Sequence, residues 1–305
     1  MRLKKADGMA KRVETLGFIG LGVMGAPMCS NLVRKSGLPV IATDSRPEPR
    51  AQVAKAGAKA VASIAEVAQS ADIIFLSLPS IAEVTEVCLG AGGIAAAGGR
   101  VHTIVDMSTS SVKGTRDLAA KLAEKGLTLI DAPVARMRQA AIDGTLSIMV
   151  GGNDENFRMV EPFLATMGTE ITHCGDTGTG QVVKVLNNMV VFMTVNALAE
   201  ALAIGRSAGV DGALLFDVMS KGSADSFALR TPGQKALVPG KFPENTFPTT
   251  YAIKDISLAL ELAQQGDIDA ASATLTANLL KKTAEAGYSQ NYYPAMINLI
   301  AAEAR

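Results

Sequence analysis

Residues 16–35, LGFIGLGVMGAPMCSNLVRK, decide the fold of this 305-residue chain. An apolar strand, Leu16–Ile19, leads through a glycine-rich turn into a helix expected over Ala26–Lys35. In this context G-x-G-x-x-G predicts a dinucleotide site, because the glycines allow a tight turn, approach of a pyrophosphate and close helix–strand packing. An ordinary glycine-containing turn is the competing interpretation. The cofactor-binding residues expected in the turn are Gly20, Leu21, Gly22, Val23, Met24 and Gly25.

The residue after the second apolar strand bears on the choice of cofactor. PVIAT is followed by Asp44, nineteen residues after Gly25, where dinucleotide folds place the acid that reads the ribose. A carboxylate there accepts hydrogen bonds from the hydroxyls of NAD and repels the 2′-phosphate of NADP, so the sequence favours NAD over NADP. Arg46 keeps NADP open, because a guanidinium can pair with a phosphate; alternatively it is a solvated loop charge.

Short apolar runs alternate with helical stretches from Thr15 to about Cys174. This alternation predicts βαβ units and a parallel sheet covered on both faces. After Thr179 the strand signals stop, which predicts a second, helical domain. We expect a flexible N-terminal arm over 1–14, a Rossmann-type dinucleotide-binding domain over 15–178, and an all-α substrate and oligomerisation domain over 179–305.

Charge and composition exclude several classes of function. The 29 basic and 29 acidic side chains give zero net charge, which disfavours nucleic acid and anionic membranes as partners. The uncharged stretch Val185–Ala199 is bounded by polar residues and too short to span a bilayer, so we expect a helix buried in protein. Two histidines and three widely spaced cysteines predict no metal site and no disulfide framework. With no secretory signal, these features favour the cytoplasm.

A lysine in an apolar helix is a candidate for proton transfer. The stretch GTGQVVKVLNN over 178–188 is apolar on most sides, and Lys184, Asn187 and Asn188 stand at i, i+3 and i+4 on one face. Burial of an ammonium group lowers its pKa toward the range that suits acid–base chemistry. The alternative is a lysine that reaches solvent at the helix start, beside asparagines that cap the backbone.

The loop DAPVARMR, residues 131–138, follows an apolar strand and so lies at the carboxyl edge of the sheet, where open α/β sheets bind ligands. Arg136 and Arg138 can hold an anionic group through paired hydrogen bonds. Arginines in loops are more often ordinary surface residues, and that interpretation stays open for both.

Seven segments, spread over nearly the whole chain after residue 15, together carry a resemblance to a known family. They are GFIGLGVMGAPMCSNL (17–32), LSLPS (76–80), DMSTSS (106–111), DAPV (131–134), DGTLSIMVGG (143–152), GTGQVVKVLNN (178–188) and Lys254-Asp255. In this order they resemble the β-hydroxyacid dehydrogenase family, which includes 3-hydroxyisobutyrate dehydrogenase. The resemblance implies a Rossmann-type domain, a helical domain and a homodimer or homotetramer in which helical domains pack together.

The resemblance also implies roles for individual residues. Lys184 would be the catalytic general acid and base, and Asn187 and Asn188 would bind substrate. Related imine reductases do not keep lysine at this position, so its presence favours alcohol–carbonyl chemistry. Leu78, Pro79 and Thr109 would contact the cofactor, and Lys254 would reach the cofactor or the substrate from the helical domain.

One segment departs from the family pattern. Where the family has Ser-Gly-Gly to cradle a carboxylate, this chain has Ala135-Arg136-Met137. In this respect it resembles the sulfolactaldehyde reductase branch. We therefore expect hydride transfer between the cofactor and a small anionic 3-hydroxy acid or semialdehyde, of sulfolactaldehyde, succinic semialdehyde or 3-hydroxyisobutyrate type, with Ala135 and Arg136 at the substrate. The alternatives are a non-catalytic dinucleotide-binding regulator and an imine reductase.

Overall fold

The computed structural model describes residues 12–244 and 246–302. The chain divides into two compact units, with the boundary between Gln181 and Val182, a few residues beyond the boundary expected after residue 178. Residues 1–11 of the expected N-terminal arm lie outside the described residues. Near its end, the backbone N–H of Glu14 donates a hydrogen bond to the Asp72 carboxylate at 2.8 Å.

In the part of the chain that the structure describes, the first unit is built on a nine-stranded sheet. Its central strands β1, β2, β4 and β5 are four-residue runs in which every residue is buried. Strands covered by helices on both faces need this uninterrupted burial, and their sequences have no polar alternation. The strands are β1 (Leu16–Ile19), β2 (Val40–Thr43), β3 (Lys59–Ala60), β4 (Ile73–Leu76), β5 (Thr103–Asp106), β6 (Thr128–Asp131), β7 (Val134–Ala135), β8 (Leu146–Gly151) and β9 (Gly168–Gly175).

The order of the parallel strands is β3-β2-β1-β4-β5-β6. This is the Rossmann order, in which the chain builds outward from β1 in one direction and then returns to add β4 on its other side. A crevice therefore opens at the carboxyl ends of β1 and β4, where such sheets bind ligands. The predicted fold class is confirmed.

Helices cover the sheet because their apolar faces match it. In α1, Met28, Cys29 and Leu32 are fully buried in a core that also contains Phe18 of β1 and Phe75 of β4. The helices of this unit are α1 (Gly25–Lys35), α2 (Pro47–Lys55), α3 (Ile64–Ser70), α4 (Ile81–Leu89), α5 (Ile94–Ala97), α6 (Val112–Ala123), α7 (Arg138–Asp143) and α8 (Asp154–Leu164).

The far edge of the sheet departs from the predicted parallel pairing. Strand β8 runs antiparallel to β6 and β7, with Asp131 opposite Gly151 and Val134 opposite Ile148. Parallel neighbours need a crossover of about a dozen residues or more, and the short link from β7 through α7 turns the chain back instead. Strand β9, which the sequence did not indicate, then pairs parallel with β8.

The second unit is helical, as predicted. Helix α9 begins shortly before the unit boundary and is the long apolar helix of the sequence. The core includes Phe192 of α9, Phe216 of α10 and the buried Tyr293. The helices are α9 (Thr179–Ser207), α10 (Gly212–Met219), α11 (Thr249–Gln265), α12 (Ala271–Thr283) and α13 (Ile297–Ala302), with π-helical turns at Leu229–Leu237 and Ala284–Tyr288 and a 3₁₀ turn at Tyr293–Met296.

Helix α9 extends beyond both ends of the uncharged stretch Val185–Ala199, from which a buried helix was predicted. Its 29 residues and a mean hydropathy of 1.6 over 18 of them would suit a membrane span by length and composition alone. The helix nevertheless buries polar side chains, namely Lys184, Asn188 and Asn196. Burial of these groups inside the protein is typical of a core helix.

Candidate active site

The turn after β1 has a shape that only glycine permits. Gly20 has a φ of +91°, and a Cβ there would lie 2.3 Å from the carbonyl oxygen of Ser77. A Cβ on Gly25 would lie 2.0 Å from the carbonyl oxygen of Gly20. Gly20 and Gly25 therefore let β1, the β4 loop and the start of α1 meet at backbone distance.

Gly22 lies in a different environment. Apart from its chain neighbours, no atom of the described residues lies within 4 Å of a Cβ built at this position, so packing within the described part of the chain does not explain the glycine. Helix α1 begins just beyond it, with no side-chain cap and no acidic residue in its first turn. A helix N-terminus offers N–H groups and a positive dipole to a phosphate. The open space and the helix start fit the pyrophosphate of a dinucleotide.

Asp44 lies beside this turn. Its Oδ2 accepts a hydrogen bond from the backbone N–H of Leu21 at 2.7 Å, and Oδ1 accepts from the backbone and Nε of Arg46 at 2.9 and 3.1 Å. Burial opposes ionisation of the carboxyl, but these hydrogen bonds outweigh it and the pKa of Asp44 is lowered. Asp44 is therefore an ionised acceptor at the turn, while the Arg46 side chain is largely exposed.

The loops after β4 and β5 meet at the same edge of the sheet. The backbone N–H of Leu78 donates to the Ser108 hydroxyl at 2.9 Å. Leu78 and Thr109 are half-buried and Pro79 is exposed. The structure thus brings three of the residues expected to contact cofactor close to the carboxyl ends of β4 and β5, next to the crevice.

Sequence reasoning missed a buried polar network beneath these loops. Asp106, at the end of β5, accepts from the backbone N–H of Ser108 at 3.0 Å. Its neighbour across the sheet is Asp131, at the end of β6. Burial raises the pKa of each carboxyl to about 6, against hydrogen bonds that lower it. An aspartate at the end of each apolar strand, TIVD and TLID, was the available signal.

In the second unit, a chain of hydrogen bonds fixes Lys184. Its Nζ donates to Oδ1 of Asn188 at 2.9 Å, and Nδ2 of Asn188 donates to Oδ2 of Asp255 at 2.7 Å. These three side chains are buried, whereas Asn187 is exposed and donates to Asn188 at 3.1 Å. Lys184 and Asn188 are therefore in contact, as their spacing predicts, and Asp255, for which the sequence suggested no role, extends this chain of hydrogen bonds.

Burial and two nearby charges set the pKa of Lys184. Burial is the largest influence and lowers the pKa of Lys184 to about 8; the negative charge of Asp255 works against this shift and the positive charge of Lys254 adds to it. Lys254 itself is ion-paired with Asp255, with Nζ 3.0 Å from Oδ1. A lysine with a pKa near 8 exchanges protons readily at neutral pH.

Arg136 stands at the end of β7 in an unusual backbone conformation, with a φ of +81°. Its side chain is exposed, and Nη1 donates to the carbonyl oxygen of Thr145 and, at 3.3 Å, to the hydroxyl of Thr169. Ala135 is half-buried, and Arg138 is exposed at the start of α7. The structure gives Arg136 protein partners, and its contact with an anionic substrate stays a prediction.

Two known families match the chain. One, described as the NAD binding domain of 6-phosphogluconate dehydrogenase, matches residues 15–175. The other, described as NAD-binding of NADP-dependent 3-hydroxyisobutyrate dehydrogenase, matches residues 178–300. Between them they extend over the sheet unit and the helical unit.

Named relatives are similar over most of their length. The 2-(hydroxymethyl)glutarate dehydrogenase of Eubacterium barkeri is 38% identical over 260 residues, 85% of each chain. The 2-hydroxy-3-oxopropionate reductase of Escherichia coli is 34% identical over 93% of this chain and 96% of its own. The structure of Mycobacterium tuberculosis 3-hydroxyisobutyrate dehydrogenase with L-serine has a TM-score of 0.85 and 31% identity, over 95% of this chain and 99% of that one.

Proposed function

Since the chain belongs to the β-hydroxyacid dehydrogenase family and is an NAD(P)-dependent oxidoreductase, we propose that it interconverts a small anionic 3-hydroxy acid and its semialdehyde, with NAD as cofactor and Lys184 as general acid and base. The observation that carries this proposal is the buried Lys184, hydrogen-bonded to Asn188 and lowered in pKa to about 8.

The dinucleotide would be held by the first unit. Gly20 and Gly25 allow the tight turn, Gly22 leaves open space beside it, and the start of α1 would bind the pyrophosphate. The bound nicotinamide supplies the hydride acceptor or donor. Leu78, Pro79 and Thr109 would contact the rest of the cofactor.

The preference for NAD rests on Asp44. Its ionised carboxylate would accept hydrogen bonds from the ribose hydroxyls, and its negative charge would repel a 2′-phosphate. Arg46 would favour NADP only if its guanidinium left Asp44. Its ion pair with Asp44, at 3.1 Å, supports NAD.

Lys184 would carry the proton. During oxidation the neutral Nζ takes the proton of the substrate hydroxyl, and during reduction the ammonium returns a proton to the carbonyl oxygen. Asp255 accepts from Nδ2 of Asn188 and so turns its Oδ1 toward Lys184. This arrangement holds Nζ in one position, and Asn187 and Asn188 would bind the substrate oxygens.

The anionic end of the substrate would be bound by Arg136, beside Ala135. Both hydrogen bonds of the guanidinium among the described residues use Nη1. An arginine carries five N–H donors, so donors remain for a carboxylate or sulfonate. Lys254, ion-paired with Asp255, would add positive charge from the helical unit.

The assembly we propose is a homodimer or homotetramer joined through helical units. Val183, Leu186 and Val190 recur on one face of α9 and are 41%, 39% and 53% exposed in the single chain. An apolar stripe at this spacing is typical of a surface that packs against another helix. The three cysteines are all free, which supports a reducing compartment such as the cytoplasm.

The test is turnover. The protein is mixed with NADH and a panel of small anionic semialdehydes, and the absorbance of the reduced cofactor is followed. We expect oxidation of NADH with at least one member of the panel, and slower oxidation of NADPH. NADH binding without oxidation by any candidate would indicate a dinucleotide-binding regulator. Turnover of cyclic imines but not of aldehydes would indicate an imine reductase.

A further inference from the structure

The residue before α9 is a glycine and so has no side chain that could cap the helix. The residue before the helix is Gly178, with a φ of +92°. The cap comes instead from Asp131 at the end of β6, whose Oδ1 accepts from the N–H of Gly178 at 2.6 Å and whose Oδ2 accepts from the N–H of Gln181 at 2.9 Å. A carboxylate here satisfies free helix N–H groups and complements the helix dipole.

The carboxylate fits a slot that two glycines leave open. A Cβ on Gly151 would lie 2.4 Å from Oδ1 of Asp131, and a Cβ on Gly180 would lie 2.9 Å from Oδ2. The same Cβ on Gly180 would lie 2.4 Å from the carbonyl oxygen of Met149. Asp131 is fully buried, so the first turn of α9 is pressed against β6 and β8 with no room to shift.

Gln181 ties the same turn to the loop after β5. Its Oε1 accepts from the backbone N–H of Ser110 at 3.0 Å, and its Nε2 donates to the carbonyl oxygen of Ser108 at 2.8 Å. Gln181 is also fully buried. This loop contains Thr109, which is expected to contact the cofactor. One helical turn is therefore bonded both to Asp131 and to a proposed cofactor loop.

We propose that Asp131 is a positioning residue for the reaction, which holds the first turn of α9, the helix that carries Lys184, against the 108–110 loop. Lys184 follows Gln181 by three residues in the same helix, less than one turn. This inference rests on the proposed function of Lys184. It assigns Asp131 no contact with substrate or cofactor; the carboxylate acts through the helix.

The test uses Asp131→Asn, which keeps the size of the side chain but sets an NH₂ group against one of the two helix N–H groups. We expect turnover per NADH-binding site to fall about tenfold to a hundredfold, because a misplacement of about 1 Å can cost 10² in rate. The NADH dissociation constant should stay within about twofold of the wild-type value. Amide hydrogen exchange at residues 178–181 should accelerate.

Asp72→Asn is the matched control. Asp72 is also a buried carboxylate of the first unit that accepts two backbone N–H bonds, from Glu14 and Thr15 at 2.8 and 3.0 Å. This variant should lose stability without losing turnover per binding site. Comparison of the two variants separates the loss of stability that removal of any buried carboxylate causes from the loss of turnover that is expected only for Asp131→Asn.

Three outcomes would overturn the inference. Asp131→Asn could keep wild-type turnover per binding site, could raise KM alone, or could lose activity only in proportion to lost NADH-binding sites. In all three the wild-type protein is active, so the proposed function stands. If the wild-type protein binds NADH but reduces no candidate substrate, the proposed function is contradicted, and the inference fails with it. Faster amide hydrogen exchange at residues 178–181 in Asp131→Asn would then show only that Asp131 caps the helix.

Discussion

The ammonium nitrogen of Lys184 lies 2.9 Å from Oδ1 of Asn188, one turn further along α9. The amide of Asn188 faces this way because its nitrogen donates to Asp255 at 2.7 Å. The amide of Asn188 thus links the buried carboxylate of Asp255 to the ammonium group of Lys184. The orientation of the proposed acid–base group depends on two residues from different helices, α9 and α11.

Substitution of the two charged residues near Lys184 should shift the pH dependence of turnover in opposite directions. Reduction needs the ammonium form, so its rate should fall as pH rises through about 8, and oxidation should rise over the same range. Asp255→Asn removes the charge that raises the pKa of Lys184, so the inflection should move to lower pH. Lys254→Met removes a repulsion, so the inflection should move to higher pH. Shifts in the same direction for both variants would refute this electrostatic account.

Asp44→Ala should weaken NAD binding and reduce discrimination against NADP. Hydrogen bonds to a charged group contribute about 1.5–3 kcal/mol, so the NAD dissociation constant should rise about tenfold or more. Isothermal titration calorimetry with both cofactors measures the two constants. Arg46→Ala is the companion variant and should leave NAD binding nearly unchanged. An Asp44→Ala protein that still prefers NAD as strongly as the wild type would show that another group reads the ribose.

Gly22→Ala and Gly25→Ala should fail in different ways. The Gly25 Cβ would lie 2.0 Å from the Gly20 carbonyl oxygen, so this substitution should lower the melting temperature. The Gly22 Cβ meets no protein atom, so Gly22→Ala should keep the melting temperature within about 2 °C but weaken dinucleotide binding. Thermal unfolding with and without NAD measures both effects. Unchanged NAD binding by Gly22→Ala would place the pyrophosphate elsewhere.

Arg136 can be tested by a pair of substitutions. Both Arg136→Ala and Arg136→Gly remove the guanidinium, so both should lower kcat/KM for the anionic substrate about tenfold or more, mainly through KM. Only glycine relieves the φ of +81°, so Arg136→Gly should be about 1 kcal/mol more stable to unfolding than Arg136→Ala. Urea titrations give the stability difference. Unaltered KM in both variants would mean that Arg136 serves only its contacts with Thr145 and Thr169.

Local patterns in the sequence predict the parts of the site whose residues are close in the chain. The glycine spacing of residues 20–25 predicts a turn that needs glycine, because the requirement arises within a few residues of backbone. The i, i+4 spacing of Lys184 and Asn188 predicts their contact for the same reason. The Rossmann order follows from strands and helices in alternation.

Contacts between distant positions could not be predicted in this way. Asp131 and Gln181 are 50 positions apart, and Asn188 and Asp255 are 67 apart. No local spacing relates such pairs; the sheet and the packing of α11 bring them together. The positive φ of Arg136 could not be predicted from the sequence either, because glycine is the usual sign of a positive φ and this position has arginine.

The most direct test of the account is the turnover of Lys184→Ala with the best semialdehyde and NADH. We expect kcat/KM to fall by at least about 10²-fold, because positioned acid–base groups contribute about 10²–10⁴-fold, while the NADH dissociation constant stays near the wild-type value. An Lys184→Ala enzyme that retains more than about a tenth of wild-type turnover would contradict the role of Lys184 as general acid and base.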